Sequence, residues 1–220
     1  MRHLFIDDSE VERIDNLARV LHQPAKFRGN AVLFAQHRWE NCGIQVRTTP
    51  AWDPEARRFR TIYHASAEGD AGAPGESFAC YATSEDGANW DKPFLGLHDY
   101  RAATWTGKPI GTQNNIVPSA LGMLQGPIYH AAEADPSRRW KAFAYGAGRL
   151  QAKVSADCVH WTELPGVTVP SSDESNLTLD AGRELFIATP KQRGPYGRSF
   201  CLSTSADFEH WSELELIFHA

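Results

Sequence analysis

The chain has 220 residues and a mass of 24.5 kDa, which is enough to bury a sizeable hydrophobic core in one or two domains. Charged residues make up 22% and aromatic residues 11% of the chain, a balance that excludes a disordered protein. The formal net charge is −5 and no cluster of lysine and arginine stands out, so the sequence predicts no nucleic-acid partner and is compatible with an uncharged partner such as a carbohydrate.

The N-terminus and the cysteines bear on the cell compartment. Residues 1–8 lack an apolar stretch long enough for a signal peptide, and no segment approaches membrane-spanning length, so we expect a cytoplasmic protein without a membrane partner. Cysteines stand at positions 42, 80, 158 and 201, with neither a Cys-x-x-Cys pair nor the spacing of a zinc site. We therefore expect reduced, structural cysteines and predict no metal and no other cofactor.

Residues 1–30 are predicted to form a short strand, at residues 4–6, and a connecting segment. Ser9 and Glu12 have the spacing of a capping box, and the residues that follow have helical periodicity, which favours a helix. An extended segment is the alternative, and Pro24 ends the element in either case.

From residue 31 onwards, one motif recurs three times. It reads Ser-x-Asp-x-x-x-Trp and occupies residues 84–90, 155–161 and 205–211. Upstream of each copy lies a predicted tight turn that begins at an aspartate: Asp53, Asp135 or Asp180. Two signatures in the same order, three times over, indicate one repeated supersecondary unit. We expect the Ser and the Asp to bind the amides of the turn, and the Trp ring to pack against the neighbouring unit.

Each repeat is predicted to contain four antiparallel strands in roughly 50 to 70 residues, which is typical of a β-propeller blade. The blades are predicted at approximately residues 31–100, 110–168 and 172–218. Their first three strands are predicted at residues 44–52, 59–65 and 78–83, then 127–135, 140–145 and 149–155, and finally 176–180, 184–189 and 198–205, with a fourth strand after each Trp. A propeller needs four or more blades, so we expect the remaining blades to be missing from this chain.

The repeated motif resembles the blades of the five-bladed propellers of the invertase, arabinanase and levansucrase type, in glycoside hydrolase families 32 and 43 and their relatives. The resemblance depends on residues 81–90 and the two later copies of the motif, and it spans nearly the whole chain. Residues 4–8, 21–24, 113–117 and 173–176 are similar to a bacterial, family-32-like branch. The resemblance implies an all-β fold, a β-propeller of the five-bladed type with about three four-stranded blades present in this chain.

Sialidases are the competing family, because their Asp-box is similar. That box reads Ser-x-Asp-x-Gly-x-x-Trp and has one more residue between Ser and Trp than any of the three copies in this chain. A sialidase also needs a cluster of three arginines, and none is evident in the sequence. The spacing therefore favours the invertase-like resemblance.

The resemblance implies hydrolysis of an oligosaccharide or glycoside by carboxylates at the mouth of the central funnel. One carboxylic acid protonates the leaving oxygen, and a second carboxylate attacks the anomeric carbon or activates water. Such groups are expected at the start of each innermost strand. By this criterion Glu40 is the candidate nucleophile or base, and Asp173 or Glu174 is the candidate general acid. An ordinary solvated loop is the alternative at each position.

Further residues are candidates for substrate binding because of their predicted positions in the blades. Trp39 is expected to stack against a sugar ring, and Asn114 and Asn115 are expected to enter the second blade, where related enzymes often carry an Asp. Two amides can bind hydroxyl groups but cannot transfer protons. The remaining candidates are Asn176, His130 and Arg193. A structural histidine and a solvated loop are the alternatives for the last two.

The sequence departs from the invertase pattern at two places. The Asn-Asp-Pro-Asn-Gly motif that carries the nucleophile in invertases is absent, and so is an Arg-Asp-Pro on an inner strand. The candidate residues therefore depend on position in the blade. A non-catalytic carbohydrate-binding propeller is the alternative function, and an interaction scaffold is a third. The amides of Asn114 and Asn115 favour binding, whereas the adjacent Asp173 and Glu174 favour hydrolysis.

Overall fold

The computed structural model describes residues 11–68, 75–103, 107–118, 123–195 and 197–219. The chain divides into two units, Met1–Asn30 and Ala31–Ala220. Residues 11–30 contain no helix, so the predicted helix is wrong over that range. Leu17 and Leu21 are 78% and 80% exposed, and a short helix is unstable without an apolar face packed against other elements. The predicted strand at residues 4–6 lies outside the described residues.

The first blade is one antiparallel sheet built on a long central strand. Its strands are β1 (Gly43–Gln45), β2 (Ala51–Asp53), β3 (Arg58–Ala67) and β4 (Glu76–Ser84). β1 and β2 pair with the same edge of β3, and β4 pairs with the other edge. The single strand predicted at residues 44–52 is therefore interrupted. Pro50 lies in the interruption, where it avoids the loss of a ladder hydrogen bond.

The outer edge of β4 explains where the first blade ends. Asp91 and Ile116 each form an isolated antiparallel bridge with β4, so two short segments stand in place of a fourth strand. The Asn115 carbonyl accepts from the amide of Tyr81 in β4 at 2.9 Å, and the Asn115 side-chain amide donates to the Tyr81 carbonyl at 2.7 Å. The prediction that Asn114 and Asn115 enter the second blade is wrong, since both lie beside the outer edge of the first.

The second blade is a regular four-stranded meander. A hairpin of β5 (Tyr100–Ala103) and β6 (Pro109–Gly111) precedes it. Its strands are β7 (Met123–Tyr129), β8 (Trp140–Gly146), β9 (Arg149–Ser155) and β10 (Trp161–Pro170). Each strand pairs antiparallel with the next along the chain, so β7 and β10 form the two edges of the sheet.

The third blade repeats this plan with one interruption. Its strands are β11 (Leu177–Asp180), β12 (Leu185–Ala188), β13 (Lys191–Gly194), β14 (Gly197–Ser205) and β15 (Glu215–His219). β12 and β13 share one edge of β14, and β15 pairs with the other edge. β11 pairs with β12 and is the inner edge of the sheet. All five residues of β15 are exposed.

The three sheets pack in series and form a partial β-propeller. β7 contacts β2 on one side and β11 on the other, so the inner strands of the three blades lie next to one another. This arrangement confirms the predicted all-β propeller with about three four-stranded blades. The described residues contain no α-helix, and none of their helical turns is long or apolar enough to cross a membrane. The cytoplasmic location stays a prediction.

The hydrophobic core is divided among the faces of the blades. One cluster covers the first blade on its side away from the second and includes Trp39, Tyr63, Phe78, Tyr100 and Ile116. A second cluster joins the first two blades through Ile62, Tyr81, Leu124, Trp140 and Trp161. A third joins the second and third blades through Phe143, Leu150, Leu177, Phe186 and Phe208. The second sheet therefore packs on both of its faces, against the first blade and against the third.

The three copies of the repeated motif adopt the same turn. In each copy the Ser Oγ accepts from the amide of the Asp, and the Asp Oδ1 accepts from the amides two and three residues further on. The indole N–H donates to the carbonyl three residues earlier, at 3.0, 3.1 and 3.2 Å. That carbonyl belongs to a residue with positive φ: Gly87, Cys158 or Phe208. The predicted role of the Ser and the Asp is confirmed. Trp161 and Trp211 pack into the clusters that join neighbouring blades, as predicted, whereas Trp90 packs on the cluster of its own blade.

Candidate functional site

The mouth of the funnel, where the inner strands begin, brings charged residues of two blades together. Arg47 follows β1 in the first blade, and its guanidinium forms an ion pair with Glu174, just before β11 of the third blade. The same guanidinium lies 3.7 Å from the sulfur of Met123, the first residue of β7. The inner edges of all three blades therefore meet at Arg47, and Glu174 lies at this junction.

Lys191 links the two neighbouring carboxylates. Its Nζ donates to Asp173 Oδ2 and to Glu174 Oε2, both at 3.1 Å. The Lys191 amide donates to Ser171 Oγ at 3.1 Å, and its carbonyl accepts from the Ser172 amide at 2.8 Å, so β13 is fastened to the segment that carries the carboxylates. Both carboxylates remain partly open, with 32% and 22% of their side chains exposed.

An axial cavity of about 440 Å³ lies between the inner strands β2, β7 and β11. Its lining includes Thr48, Thr178, Asn176 and Trp52. Trp52 is 42% exposed and contacts Phe59 edge-on at 4.9 Å, which leaves part of its ring free to contact a ligand. This lining suits a polyol. An exposed aromatic ring can contact the apolar face of a sugar ring, and hydroxyl and amide groups can form hydrogen bonds with its hydroxyl groups.

A second cleft, of about 450 Å³, lies beside the β13–β14 hairpin. Asp173 and Lys191 line it, and so do Arg193 and Arg198. Arg193 is exposed and lies in β13, so the predicted loop at this position is wrong, and its role in substrate binding stays a prediction. The cleft and the mouth of the funnel share Asp173, so they are two parts of one surface.

Glu40 has a different environment from the two other predicted carboxylates. It is 0% exposed, and its oxygens accept from Lys92 Nζ at 2.8 and 2.9 Å and from the Tyr63 hydroxyl at 2.5 Å. The amides of Gln36 and His37 also donate to it, at 2.6 and 3.0 Å. Burial favours a higher pKa, but these hydrogen bonds hold the pKa of Glu40 below its ordinary value. A substrate cannot reach this carboxylate without disrupting the network.

Trp39, Asn114 and Asn115 also serve the interior of the first blade. The Trp39 indole N–H donates to Asn115 Oδ1 at 2.9 Å, and the ring is 3% exposed because His37 stacks on it at 4.4 Å. The Asn115 amide donates to the Tyr63 hydroxyl at 2.6 Å, and the Asn114 amide donates to two backbone carbonyls at 2.7 and 2.9 Å. These side chains have no free group for a sugar, so the structure gives them a packing role.

The remaining candidates separate into one that lines the axial cavity and one that does not. Asn176 is exposed and lines the cavity, and its support of the site by hydrogen bonding stays a prediction. His130 follows β7 instead of lying within it, and its Nε2 lies 2.9 Å from Glu184 Oε2 while its ring contacts Phe186 edge-on at 5.1 Å. His130 thus contacts the third blade rather than the funnel.

Sequence reasoning missed Arg47, Trp52 and Arg198. Arg47 lies between two short strands that look like one strand in the sequence, so its position at an interruption was hidden. The sequence predicts Trp52 at the end of a strand but does not predict which face of the sheet carries its ring. Side chains alternate along β2, so the ring lies on the face opposite to the buried Asp53. Arg198 opens β14, and only the hairpin pairing brings it opposite Arg193.

Within the described parts of the chain, no group of three or more His, Cys, Asp or Glu is arranged to hold a metal ion. All four cysteines are free, and three of them are buried.

No family model and no curated protein matches this chain. Similar solved structures include a GH32 β-fructofuranosidase from Bombyx mori, with 11% identity and a TM-score of 0.47 over 80% of this chain and 34% of that one. An N-acetylgalactosamine deacetylase from F. plautii, in complex with blood group B trisaccharide, has 13% identity and a TM-score of 0.44 over 76% and 50%. A protein described as a glycoside hydrolase has 16% identity and a TM-score of 0.42 over 81% and 58%. The chain thus spans between a third and somewhat more than half of these proteins, and the likeness concerns the fold alone.

Proposed function

We propose that this protein is carbohydrate-active and hydrolyses glycosidic bonds of an oligosaccharide or glycoside, with Asp173 and Glu174 as the paired carboxylates. The observation that carries the proposal is the meeting of Glu174 with Arg47 where the inner strands begin. Both carboxylates are partly exposed: Asp173 lines the cleft beside the β13–β14 hairpin, and Asn176, two residues after Glu174, lines the axial cavity. Hydrolysis of a glycoside needs such a pair.

The two carboxylates lie close enough to act on one glycosidic bond. Asp173 Oδ2 and Glu174 Oε2 both lie 3.1 Å from Lys191 Nζ, so these two oxygens are at most about 6.2 Å apart, twice that distance. Retaining enzymes separate their carboxyl groups by about 5–5.5 Å and inverting enzymes by about 6.5–9.5 Å, because only the latter leave room for a water molecule. The limit concerns one oxygen of each carboxylate, and the carboxyl groups as a whole fit either range.

Each carboxylate has a role that follows from its surroundings. Arg47 holds the Glu174 carboxylate at the junction of the inner strands, where it attacks the anomeric carbon of a sugar bound next to Asp173. Asp173 lines the open cleft, where it protonates the leaving oxygen and then activates water for the second step. Trp52 and Asn176 hold the sugar by ring contact and hydrogen bonding. Glu40 and Trp39 support the first blade and take no part in this scheme.

Turnover of a panel of aryl glycosides and oligosaccharides tests the proposal. We expect Glu174→Gln and Asp173→Asn each to lower turnover by about 10²–10⁴-fold with sugar binding retained. Glu85→Gln is the matched control, since Glu85 is a carboxylate on an outer turn with a side chain 81% exposed. Unchanged turnover in Glu174→Gln, or no turnover by the parent protein on any substrate, contradicts hydrolysis by this pair.

A non-catalytic carbohydrate-binding propeller is the second candidate function. One observation favours it: Lys191 and Arg47 already pair with both carboxylates, which leaves neither of them free of a cation. The amides of Asn114 and Asn115 do not support sugar binding, because they form hydrogen bonds within the protein. Sugar binding by the parent protein that Trp52→Ala weakens, without turnover, supports this second function.

A further inference from the structure

We infer that the cleft beside the β13–β14 hairpin binds the acidic group of a charged sugar, a carboxylate or a sulfate ester. This inference builds on the proposed function, because Asp173 belongs both to the cleft and to the carboxylate pair. It names the class of substrate: a carbohydrate with an acidic substituent near the bond that is cleaved.

The charge in the cleft does not cancel. Lys191, Arg193 and Arg198 line it, against the single carboxylate of Asp173. Lys191 is engaged by Asp173 and Glu174 at 3.1 Å, whereas Arg198 approaches Asp173 only at 3.8 Å with its side chain 71% exposed. Arg193 has no ion pair within the described ranges of the chain. Two guanidinium groups are thus available, on a protein whose formal net charge is −5.

Arg193 and Arg198 are also direct partners across the hairpin. They face each other in the antiparallel register of β13 and β14. Like charges placed directly opposite on neighbouring strands destabilise a sheet. A bound anion between the two guanidinium groups removes that repulsion, so the pair is better explained by a ligand than by the stability of the free hairpin.

The strands of the hairpin are joined at one end to the segment that carries Asp173. The Ser172 amide donates to the Lys191 carbonyl at 2.8 Å. Gly194 pairs with Gly197 at the other end, where a Cβ added at Gly194 would lie 2.8 Å from Ser199 Oγ and Gly197 has φ +100°, in the region that favours glycine. The backbone therefore brings the strands of Arg193 and Arg198 close to the segment of Asp173.

The chemistry of the guanidinium group identifies the ligand class. Its planar fork matches the two oxygens of a carboxylate or sulfate, and bonds between charged partners are about twice as strong as neutral ones. A sugar with such a group in the cleft has its ring next to Asp173. A neutral sugar leaves both arginines unpaired and gains nothing from them.

Calorimetric titration of the purified protein with three sugars tests the inference. The probes are an oligogalacturonate, the same oligosaccharide with its carboxyl groups reduced, and a sulfated galactan oligosaccharide. We expect at least one acidic probe to bind about tenfold or more tightly than the reduced one, with an affinity that falls at high salt. Arg193→Gln and Arg198→Gln are each expected to weaken the acidic probe by about tenfold and to leave the reduced probe unchanged. The two acidic probes separate carboxylate from sulfate recognition.

Arg183→Gln is the control, because Arg183 follows β11 at the far end of the inner strand with a side chain 80% exposed. Equal binding of the acidic and reduced probes, no binding of either acidic probe, or unchanged affinity in both arginine variants overturns the inference. Arginine-dependent binding without turnover contradicts hydrolysis but supports the anion cleft. Turnover of the reduced probe, without turnover of the acidic probes, supports hydrolysis but contradicts the anion cleft.

Discussion

Lys92 and Glu40 form an ion pair in the interior of the first blade. The Lys92 Nζ lies 2.8 and 2.9 Å from the two carboxylate oxygens, and the side chains are 3% and 0% exposed. The Tyr63 hydroxyl donates to the same carboxylate at 2.5 Å, and the ammonium lies 5.2 Å from the centroid of the Tyr63 ring. The pair therefore joins a helical turn, a central strand and the segment after the first repeated motif.

The first prediction is that Glu40 acts in folding. We expect Glu40→Gln to lower the free energy of unfolding by about 3–5 kcal/mol, because Lys92 then stays buried as an unpaired charge. Urea unfolding measures the change. The double variant Glu40→Gln with Lys92→Met is expected to recover part of the loss, since it removes the orphaned charge. If Glu40→Gln keeps the stability of the parent and loses only turnover, the prediction is wrong and Glu40 acts in catalysis.

The second prediction concerns the repeated turn. Asp157 Oδ1 accepts from the amides of Val159 and His160 at 2.9 and 2.8 Å, so we expect Asp157→Ala to cost about 1–2 kcal/mol of unfolding free energy. Burial favours a higher pKa for Asp157, but hydrogen bonds from His160 hold that pKa below its ordinary value.

The sign of the pH dependence follows from that lowered pKa. The stabilisation by Asp157 is fully present above the ordinary aspartate pKa, about 3.9, and is lost as the pH falls through the lower pKa of the folded protein. Urea unfolding between neutral pH and about pH 3 is expected to show a shallower loss in Asp157→Ala than in the parent. Glu85→Gln, in the first copy of the motif, is the control and is expected to unfold like the parent. If the unfolding free energy falls with pH equally steeply in the parent and in Asp157→Ala, Asp157 is not the cause of the pH dependence.

The sequence predicts the local units well because their signals are local. The Ser-x-Asp-x-x-x-Trp turn closes on itself within seven residues, so its hydrogen bonds follow from the residue types alone. The contact of Arg47 with Glu174 does not, since it depends on how the first and third blades meet. Asn115 shows the same limit: its pairing with β4 depends on the return of a distant segment, which hydrophobic periodicity cannot reveal.

The third prediction is a pH effect from His64, which lies on β3 near the mouth of the funnel. Burial and the nearby charge of Arg47 lower its pKa to about 4. The unfolded chain binds a proton near pH 6.5 and the folded protein does not, so stability falls as the pH drops from about 6.5 to about 4. The full loss is about 3 kcal/mol. Urea unfolding over this range is expected to show the slope in the parent and a reduced slope in His64→Gln. Parallel curves for the two proteins contradict the assignment.

The fourth prediction concerns the close approach of the second and third blades at Gly126. The register of β7 with β8 shifts between Gln125 and Ile128, and Gly126 has φ +61° within this bulge. A Cβ added there would lie 2.9 Å from Leu177 Cβ and 3.2 Å from the Leu177 amide nitrogen. Alanine therefore meets both an unfavourable φ and the backbone of β11, which can yield only if the two blades move apart.

We expect Gly126→Ala to lower the free energy of unfolding by about 2–4 kcal/mol. Gly146→Ala is the matched control: Gly146 ends β8 with nothing within 4 Å of an added Cβ, and its unfolding free energy is expected to change by about 0.5 kcal/mol or less. Because Gly126 also lines the axial cavity, displacement of β11 would move Asn176 and Glu174 as well. Sugar binding by Gly126→Ala under conditions where it stays folded is therefore expected to weaken. If the unfolding free energy falls by the same amount in Gly126→Ala and Gly146→Ala, the contact with Leu177 is not the cause of the loss.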